Sequence, residues 1–228
     1  MTNEFSSGSA KSTYKDCILI QSDGNDDYTT SDLFKDCLMK LDFYNMVHEL
    51  VDFGISRYNR NYSKCYQNTD FVLNQKYTYE DVCRLLNWEH NEVPLNIGGY
   101  KYDKPTKTFP VFINYEKDDS ISATIKYEDH FISRGELIAI SKSGRTITSD
   151  DVQNFLYARE RGIQVELFVR KNKDDKISKE FYYLGHMTAN KDGAKEFTMP
   201  GTNKTAVEIN WILDNPVKEE LYQYIING

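Results

Sequence analysis

An aromatic side chain and two carboxylates are adjacent in the sequence at Tyr127, Glu128 and Asp129. On an extended backbone alternate side chains point the same way, so Tyr127 and Asp129 share one face, with Phe131 beyond them. An aromatic face can stack on a planar ring, and a carboxylate can accept a hydrogen bond from an amine. The segment therefore predicts a binding pocket, with Glu128 as a further lining residue. The alternative is that Tyr127 and Phe131 are core residues and that Asp129 or Glu128 caps a local turn.

A second candidate pocket segment contains two glycines followed by tyrosines. Gly98 and Gly99 would let a ligand approach the backbone closely, with Tyr100 or Tyr102 lining the pocket. Tyr115, at the end of a predicted strand, is a candidate second stacking wall. A plain turn explains the glycines equally well, and core packing explains Tyr115.

A third candidate site combines hydroxyls and cations between a predicted strand and a predicted helix. Ser141, Lys142, Ser143 and Arg145 surround one glycine there, a composition suited to contacting a phosphate group. Arg134 is a further candidate for this role. An ordinary solvated loop is the alternative.

Known catalytic motifs are absent from the sequence. The segment from Ser143 to Thr146 lacks both the length and the lysine of a phosphate-binding loop, and no G-x-G-x-x-G or G-x-S-x-G is present. His48-Glu49 is not followed by the second histidine of a zinc protease, and no two of the four cysteines are closely spaced. The sequence thus predicts a non-enzymatic chain without a metal site or a cofactor.

The charge distribution limits the possible partners. The 228-residue chain has a net charge of −7, and residues 1–54 hold four Lys/Arg against ten Asp/Glu. Such a chain does not coat DNA non-specifically, because that binding depends on many basic contacts to phosphates. A recognition protein with few phosphate contacts remains possible. Neither a signal-peptide pattern nor an apolar run of about 18 residues is present, which predicts a cytoplasmic chain without a membrane partner.

Hydrophobic periodicity predicts helices first and strands later. Residues 1–30 indicate a linker or mobile arm with at most one strand, and residues 31–69 a helical connector. A short helix capped by Thr78 follows, and then strands at 109–115, 136–140, 164–170, 180–184 and 205–213. A helix is inserted between strands after Thr148 or Ser149. A last helix is predicted to begin at Asn215-Pro216.

This order predicts an α+β fold. We expect a small mixed or antiparallel β-barrel flanked by helices and preceded by an N-terminal helical extension. Residues 70–228 would form this domain. Parallel βαβ winding is disfavoured, because most links between strands are too short for crossover helices.

Several strings from Tyr77 onward resemble one known family. They are YTYEDVCRLLNWEHNE (77–92), IGGYKYDKPTKTFPVFINYEK (97–117), ISATIKYEDHFISRGELIAISKSGRT (121–146), LFVRKNKDDKISKEFYYLGHM (167–187) and INWILDNPVKEELYQYI (209–225). Together they resemble the uncharacterised domain at the C-terminal end of bacterial helicases that also carry a phospholipase D-type nuclease domain. Residues 33–62 weakly resemble the helical connector before that domain.

The resemblance implies a function in DNA recognition. Some members of the family are type IV, modification-dependent restriction enzymes, in which this end domain is taken to be similar to the SET- and RING-associated (SRA) and PUA-like barrels that flip a modified base. The implied partner is double-stranded DNA that carries 5-methyl- or 5-hydroxymethylcytosine. A helicase and nuclease, in the same or a neighbouring chain, would complete the system, because their motifs are absent here.

The resemblance also implies roles for the candidate residues. Tyr127 and Tyr100 would stack on the flipped base, and Asp129 would accept from its amine. Lys142 and Arg145 would hold phosphates. The alternative function is a protein-interaction or regulatory module that docks on a helicase and binds no DNA itself. The acidic first quarter and the long amphipathic helix favour that alternative.

Overall fold

The chain contains strands and helices in an order that confirms the predicted α+β class. The computed structural model describes residues 19–22, 28–89, 92, 97–116, 129–172 and 179–227. Its elements are β1 (Ile20–Ser22), β2 (Tyr28–Thr30), α1 (Asp32–Leu38), α2 (Leu41–Asn61), β3 (Lys76–Tyr77), α3 (Tyr79–Leu85), β4 (Thr108–Glu116), β5 (His130–Ser133), β6 (Glu136–Ile140), α4 (Asp150–Leu156), α5 (Ala158–Arg161), β7 (Gln164–Asn172), β8 (Phe181–Thr198), β9 (Thr205–Leu213) and α6 (Glu219–Asn227).

The N-terminal part forms a strand pair and two helices. β1 and β2 pair antiparallel, so the prediction of at most one strand before residue 31 is wrong. Ser31 caps α1, its Oγ accepting a hydrogen bond from the Phe34 backbone N–H at 3.2 Å. Helix α1 ends at Leu38, and α2 begins at Leu41 after the two non-helical residues Met39 and Lys40. Helix α2 continues through Gly54 without interruption. None of the residues of α1 and α2 is buried.

One mixed sheet organises the rest of the chain. Its strand order is β4-β7-β8-β9-β6-β5, and β3 also pairs with β8. All described pairings are antiparallel except that of β4 with β7, which is parallel. The parallel pair makes the sheet mixed, which is one of the two forms that the sequence predicts, and β5, β6, α4 and α5 together provide a connection long enough to cross over.

Strand β8 belongs to both halves of the sheet. Its first residues pair with β7 and its remainder pairs with β9. A bulge interrupts the pairing with β7 near Gly185, whose φ is +94°. At the two ends of the sheet, Tyr115 on β4 and Phe131 on β5 lie with ring centroids 5.8 Å apart. The sheet therefore curls into a half-barrel.

Two hydrophobic clusters cover the two faces of the sheet. Val165, Leu167 and Val169 alternate along β7, so they point to the same face and lie in the larger cluster. Buried residues of α4, α5 and α6 also belong to this cluster. Phe168 lies in the smaller cluster with residues of α3. Trp88 anchors the end of α3, because its Nε1 donates to Thr108 Oγ1 at 2.8 Å.

The last helix begins later than predicted. The sequence predicts a start at Asn215-Pro216, but α6 begins at Glu219. The Val217 backbone N–H donates to the Arg134 carbonyl at 2.8 Å, and Arg134 Nε donates to the Val217 carbonyl at 2.7 Å. These two bonds tie the segment before α6 to the β5–β6 turn, so its backbone groups are used outside a helix.

Candidate nucleic-acid interface

The turn after β6 is fixed to the neighbouring strand β9. The Ser141 backbone N–H donates to the Val207 carbonyl, and the Val207 N–H donates to Ser141 Oγ, both at 2.8 Å. Three residues on, the Gly144 N–H donates to the Thr205 carbonyl at 2.7 Å, with a φ of +82° that favours glycine. Ser141 is buried and Ser143 is exposed. The turn therefore presents Ser143 on a backbone held in place from both ends.

Lys142 connects this turn to the segment before β4. Its Nζ donates to the carbonyls of Ile97 and Tyr100, both at 2.8 Å, and lies 4.5 Å from the centroid of the Tyr100 ring. Burial lowers the pKa of Lys142, and the charge of Asp151 acts in the opposite direction. Lys142 thus uses two of its donors inside the protein.

Tyr100 lies in the core beneath Lys142. Its side chain is 6 % exposed, and its ring packs edge-on against Phe109 and Phe155. The hydroxyl donates to Asp151 Oδ2 at 3.0 Å and accepts from the Lys142 backbone N–H at 2.9 Å. Burial raises the pKa of Tyr100. In this arrangement its ring is covered and supports the turn, so it has no open face on which a base could stack.

Arg145 forms an ion pair with Asp151 in the first turn of α4. Arg145 Nε lies 2.7 Å from Asp151 Oδ2, and this hydrogen bond and the carboxylate charge raise the pKa of Arg145. The Arg145 side chain is nevertheless 40 % exposed. The turn therefore carries a cation that reaches solvent while its Nε is oriented by the helix.

Asp129 joins the same end of the sheet. Its Oδ1 accepts a hydrogen bond from the Ile140 backbone N–H at 2.9 Å, which places the carboxylate beside the start of the turn at Ser141. The structure thus brings Asp129, Tyr100 and the 141–145 turn together. Tyr127 and Glu128 lie outside the described residues.

The other predicted site residues lie apart from this group or inside the core. The half-buried Tyr102 packs against Phe109, with ring centroids 5.4 Å apart. Tyr115 is half-buried against Phe131, and burial raises its pKa. Arg134 lies at the opposite end of the β5–β6 hairpin, roughly 17–20 Å along the strands from the turn. There it binds the Val217 carbonyl and Glu219, so its position does not fit the predicted role in phosphate binding.

A buried carboxylate that the sequence analysis missed lies on the other face of the sheet. Glu166 has no exposed surface, and it accepts from the Tyr183 hydroxyl at 2.5 Å. His186 Nε2 lies 2.9 Å from the other Glu166 oxygen. Burial lowers the pKa of His186, but the hydrogen bond and charge of Glu166 outweigh it, so the pKa is raised.. The sequence does contain a signal for this burial. Glu166 and Phe168 are two residues apart on β7 and therefore point to the same face, while the other face of the strand is apolar.

Three cavities open elsewhere on the described surface. A cavity of about 410 Å³ lies in front of His186, and one of about 240 Å³ lies beside Glu166. A third, also about 410 Å³, lies between the end of α2 and α3. None of these three is lined by Asp129, Lys142 or Arg145. Across the described ranges, no group of three or more His, Cys, Asp or Glu side chains is arranged to hold a metal ion.

The fold and the site define an α+β module with a fixed polar turn at one end of a curled sheet. The model of the family described as "Domain of unknown function (DUF3427)" matches residues 71–225, which is more than half of the chain, so the chain belongs to this family. A second family model, "Domain of unknown function (DUF8090)", matches residues 1–64. No curated protein sequence matches the chain.

Solved structures with partial similarity include complexes with methylated DNA. KRYPTONITE in complex with mCHG DNA and SAH aligns at 9 % identity and a TM-score of 0.43, covering 66 % of this chain and 33 % of that one. The SUVH5 SRA–hemi-methylated CG DNA complex aligns at 12 % identity and 0.43, covering 65 % and 92 %. The SUVH5 SRA–methylated CHH DNA complex gives 12 % and 0.42, covering 68 % and 98 %. At these TM-scores the alignments carry no further argument about this chain.

No helix in the part of the chain that the structure describes is long and apolar enough to cross a membrane.

Proposed function

We propose that this chain is a cytoplasmic DNA-recognition module that binds 5-methyl- or 5-hydroxymethylcytosine by base flipping. The observation that carries the proposal is the convergence of Asp129, Lys142 and Arg145 at one end of the sheet. Asp129 lies just before β5 and both cations lie in the turn after β6. Each matches a need of base recognition: an acceptor for the base amine and cations for phosphates. The sequence strings that resemble the helicase-associated domain include all three residues.

The turn supplies the phosphate contacts in this proposal. Arg145 reaches solvent with its Nε held by Asp151, so a phosphate oxygen can contact the remaining guanidinium donors. Ser143 adds an exposed hydroxyl on the fixed backbone. Lys142 keeps the turn against the 97–100 segment and contributes positive charge beneath it. Tyr100 is a positioning residue for this turn.

Base recognition belongs to Asp129 and to the residues that precede it. Extruding a base costs on the order of a few kcal/mol, and stacking on an aromatic side chain returns about 1–3 kcal/mol. Tyr127 would supply that stacking, with Glu128 beside it, since Tyr127 is two residues before Asp129. The Asp129 carboxylate would then accept from the N4 amine of the flipped cytosine.

A role in a type IV restriction system completes the proposal. The sequence resembles the end domain of helicase–nucleases that act on modified DNA, and it contains neither the helicase phosphate loop nor the nuclease motif. The helicase and nuclease would therefore be supplied from outside these 228 residues, with this chain as the target-recognition part.

Fluorescence anisotropy with three otherwise identical duplexes tests the proposal. Each would contain cytosine, 5-methylcytosine or 5-hydroxymethylcytosine at one position, at fixed salt. We expect at least a tenfold preference for a modified duplex, which corresponds to about 1.4 kcal/mol. Equal binding to all three, or no binding, would overturn the proposal.

Asp129→Asn tests the base-reading residue. Asparagine keeps an oxygen that can accept from the Ile140 N–H, but it removes the carboxylate charge. We expect the affinity for the modified duplexes to fall about tenfold or more, because the flipped base loses the carboxylate that accepts from its N4 amine, while binding that leaves the base stacked stays nearly unchanged. The matched control is Ser143→Glu, which places a new negative charge on the exposed turn. It should weaken binding to all three duplexes by the same factor. An unchanged preference in Asp129→Asn would remove Asp129 from the site.

A further inference from the structure

Helix α2 presents a broad apolar face to solvent. Phe43, Met46, Leu50 and Phe53 recur at spacings of three and four, so they form one stripe along the helix. Met46, Leu50 and Phe53 are 63 %, 69 % and 65 % exposed. Isolated surface apolar residues are ordinary, but a continuous row of them marks a contact surface.

The stripe is wider than a single row. Val51, Ile55 and Tyr58 extend it around one side of the helix, and each is more than half exposed. Among the described residues, Phe34 of α1 covers the N-terminal end and meets Phe43 edge-on, with ring centroids 6.2 Å apart. Within the described part of the chain, the middle of the face has no covering element.

The charges of α2 are divided between its two halves. Asp42 and Glu49 lie in the N-terminal half, Asp52 lies just past the midpoint at Val51, and Arg57 and Arg60 lie in the C-terminal half. Two parallel copies of this helix would place like charges opposite each other. Two antiparallel copies would place the acidic half of each against the basic half of the other, and their helix dipoles would also oppose.

The length of the helix suits a symmetric pair. α2 is 21 residues long, or about 31 Å, and each partner of a specific interface contributes about 800 Å². An antiparallel pair is also self-complementary under two-fold symmetry, the commonest symmetry of homodimers.

We propose that the occupant of this face is a second copy of the chain, and that the two α2 helices pack antiparallel. Leu50 lies near the two-fold axis, and Asp42 of each copy lies opposite Arg60 of the other. The result is a dimer that carries two copies of the sheet domain. This inference does not depend on the proposed function, since it concerns a different surface.

Sedimentation velocity of the full chain tests the dimer. At about 50 µM we expect the wild-type mass to be twice the chain mass of 26.6 kDa. Leu50→Glu should raise the dimer dissociation constant at least a hundredfold, because two carboxylates would meet near the axis without partners. The matched control is Leu41→Glu. Leu41 is 71 % exposed and lies on the opposite side of α2, so this variant should dimerise like the wild type.

Charge exchange tests the orientation. Asp42→Arg alone should weaken the dimer about tenfold, and adding Arg60→Asp in the same chain should restore it, because the opposite charges again face each other. Circular dichroism should show wild-type helix content in every variant, since all the substituted side chains are exposed. A monomeric wild type at 50 µM would overturn the proposal and leave the face to a different protein, such as a helicase. Unchanged dimerisation of Leu50→Glu would overturn it as well.

Discussion

His186 makes the stability of this protein dependent on pH. Its folded-state pKa lies above the ordinary value because the carboxylate of Glu166, 2.9 Å away, outweighs the effect of burial. A raised histidine pKa stabilises the folded state fully below the unfolded value of about 6.5. That contribution is lost as the pH rises through the folded pKa.

We therefore expect the melting temperature to fall as the pH rises above about 6.5, and His186→Gln to remove that part of the fall. Differential scanning calorimetry at several pH values measures it. His130→Gln serves as the comparison for a histidine substitution at an exposed position, on β5. A His186→Gln profile that parallels the wild type would contradict the assignment.

Residue types in local sequence predicted part of the candidate site. The Ser141–Arg145 turn was identified because hydroxyls, cations and glycine occur together between a strand and a helix. The residues that hold this turn were not predictable from local sequence. The Tyr100 hydroxyl, for example, donates a hydrogen bond to Asp151, which is 51 residues away. The same holds for Arg134, whose cation looked available in the sequence but binds the Val217 carbonyl, 83 residues away.

Gly185 allows β8 to bend at its bulge. Its φ of +94° is unfavourable for other residues, and an added Cβ would lie 3.1 Å from Leu73 Cδ2. We expect Gly185→Ala to cost about 1–3 kcal/mol, which for a chain of this length lowers the melting temperature by roughly 2–12 °C. Thermal unfolding followed by circular dichroism measures it.

Gly54→Ala provides the comparison for that variant. An added Cβ at Gly54 meets nothing within 4 Å on the exposed helix α2, and alanine is the better helix former. Its melting temperature should match or exceed the wild-type value. If both variants melted at the wild-type temperature, Gly185 would not be required at the bulge.

Elements with clear local periodicity were predicted well. The alternation at Val207, Ile209, Trp211 and Leu213 predicts a strand with one buried face, and all four residues are buried on β9. The parallel pairing of β4 with β7 left no local signal, because strand pairing depends on partners distant in the chain. The start of α6 was misplaced for the same reason, since a bond from Val217 to Arg134 overrides the local Asn-Pro pattern.

The whole molecule carries a net charge of −7, which limits how strongly DNA binding can depend on salt. In the proposed complex Lys142 and Arg145 are the cations near phosphates. Each neutralised phosphate contributes about −0.9 to the slope of log K against log salt concentration, so we expect a slope of about −2. Anisotropy titrations of the modified duplex between 50 and 200 mM salt (about a fourfold range) measure it. A slope steeper than about −5 would require a basic surface that this proposal does not contain.

The pairing of β4 with β7 has a consequence for synthesis. Asn114 and Arg170 face each other across this pair although 56 residues separate them. Ribosomes add about 5–20 residues per second, so strand β7 is synthesised roughly 3–11 s after the strand β4 with which it pairs. During that interval the apolar residues Phe109, Val111 and Ile113 have no β7 beside them. The nascent chain therefore passes through a period of exposed strand edge, in which it is most open to chaperones and to aggregation.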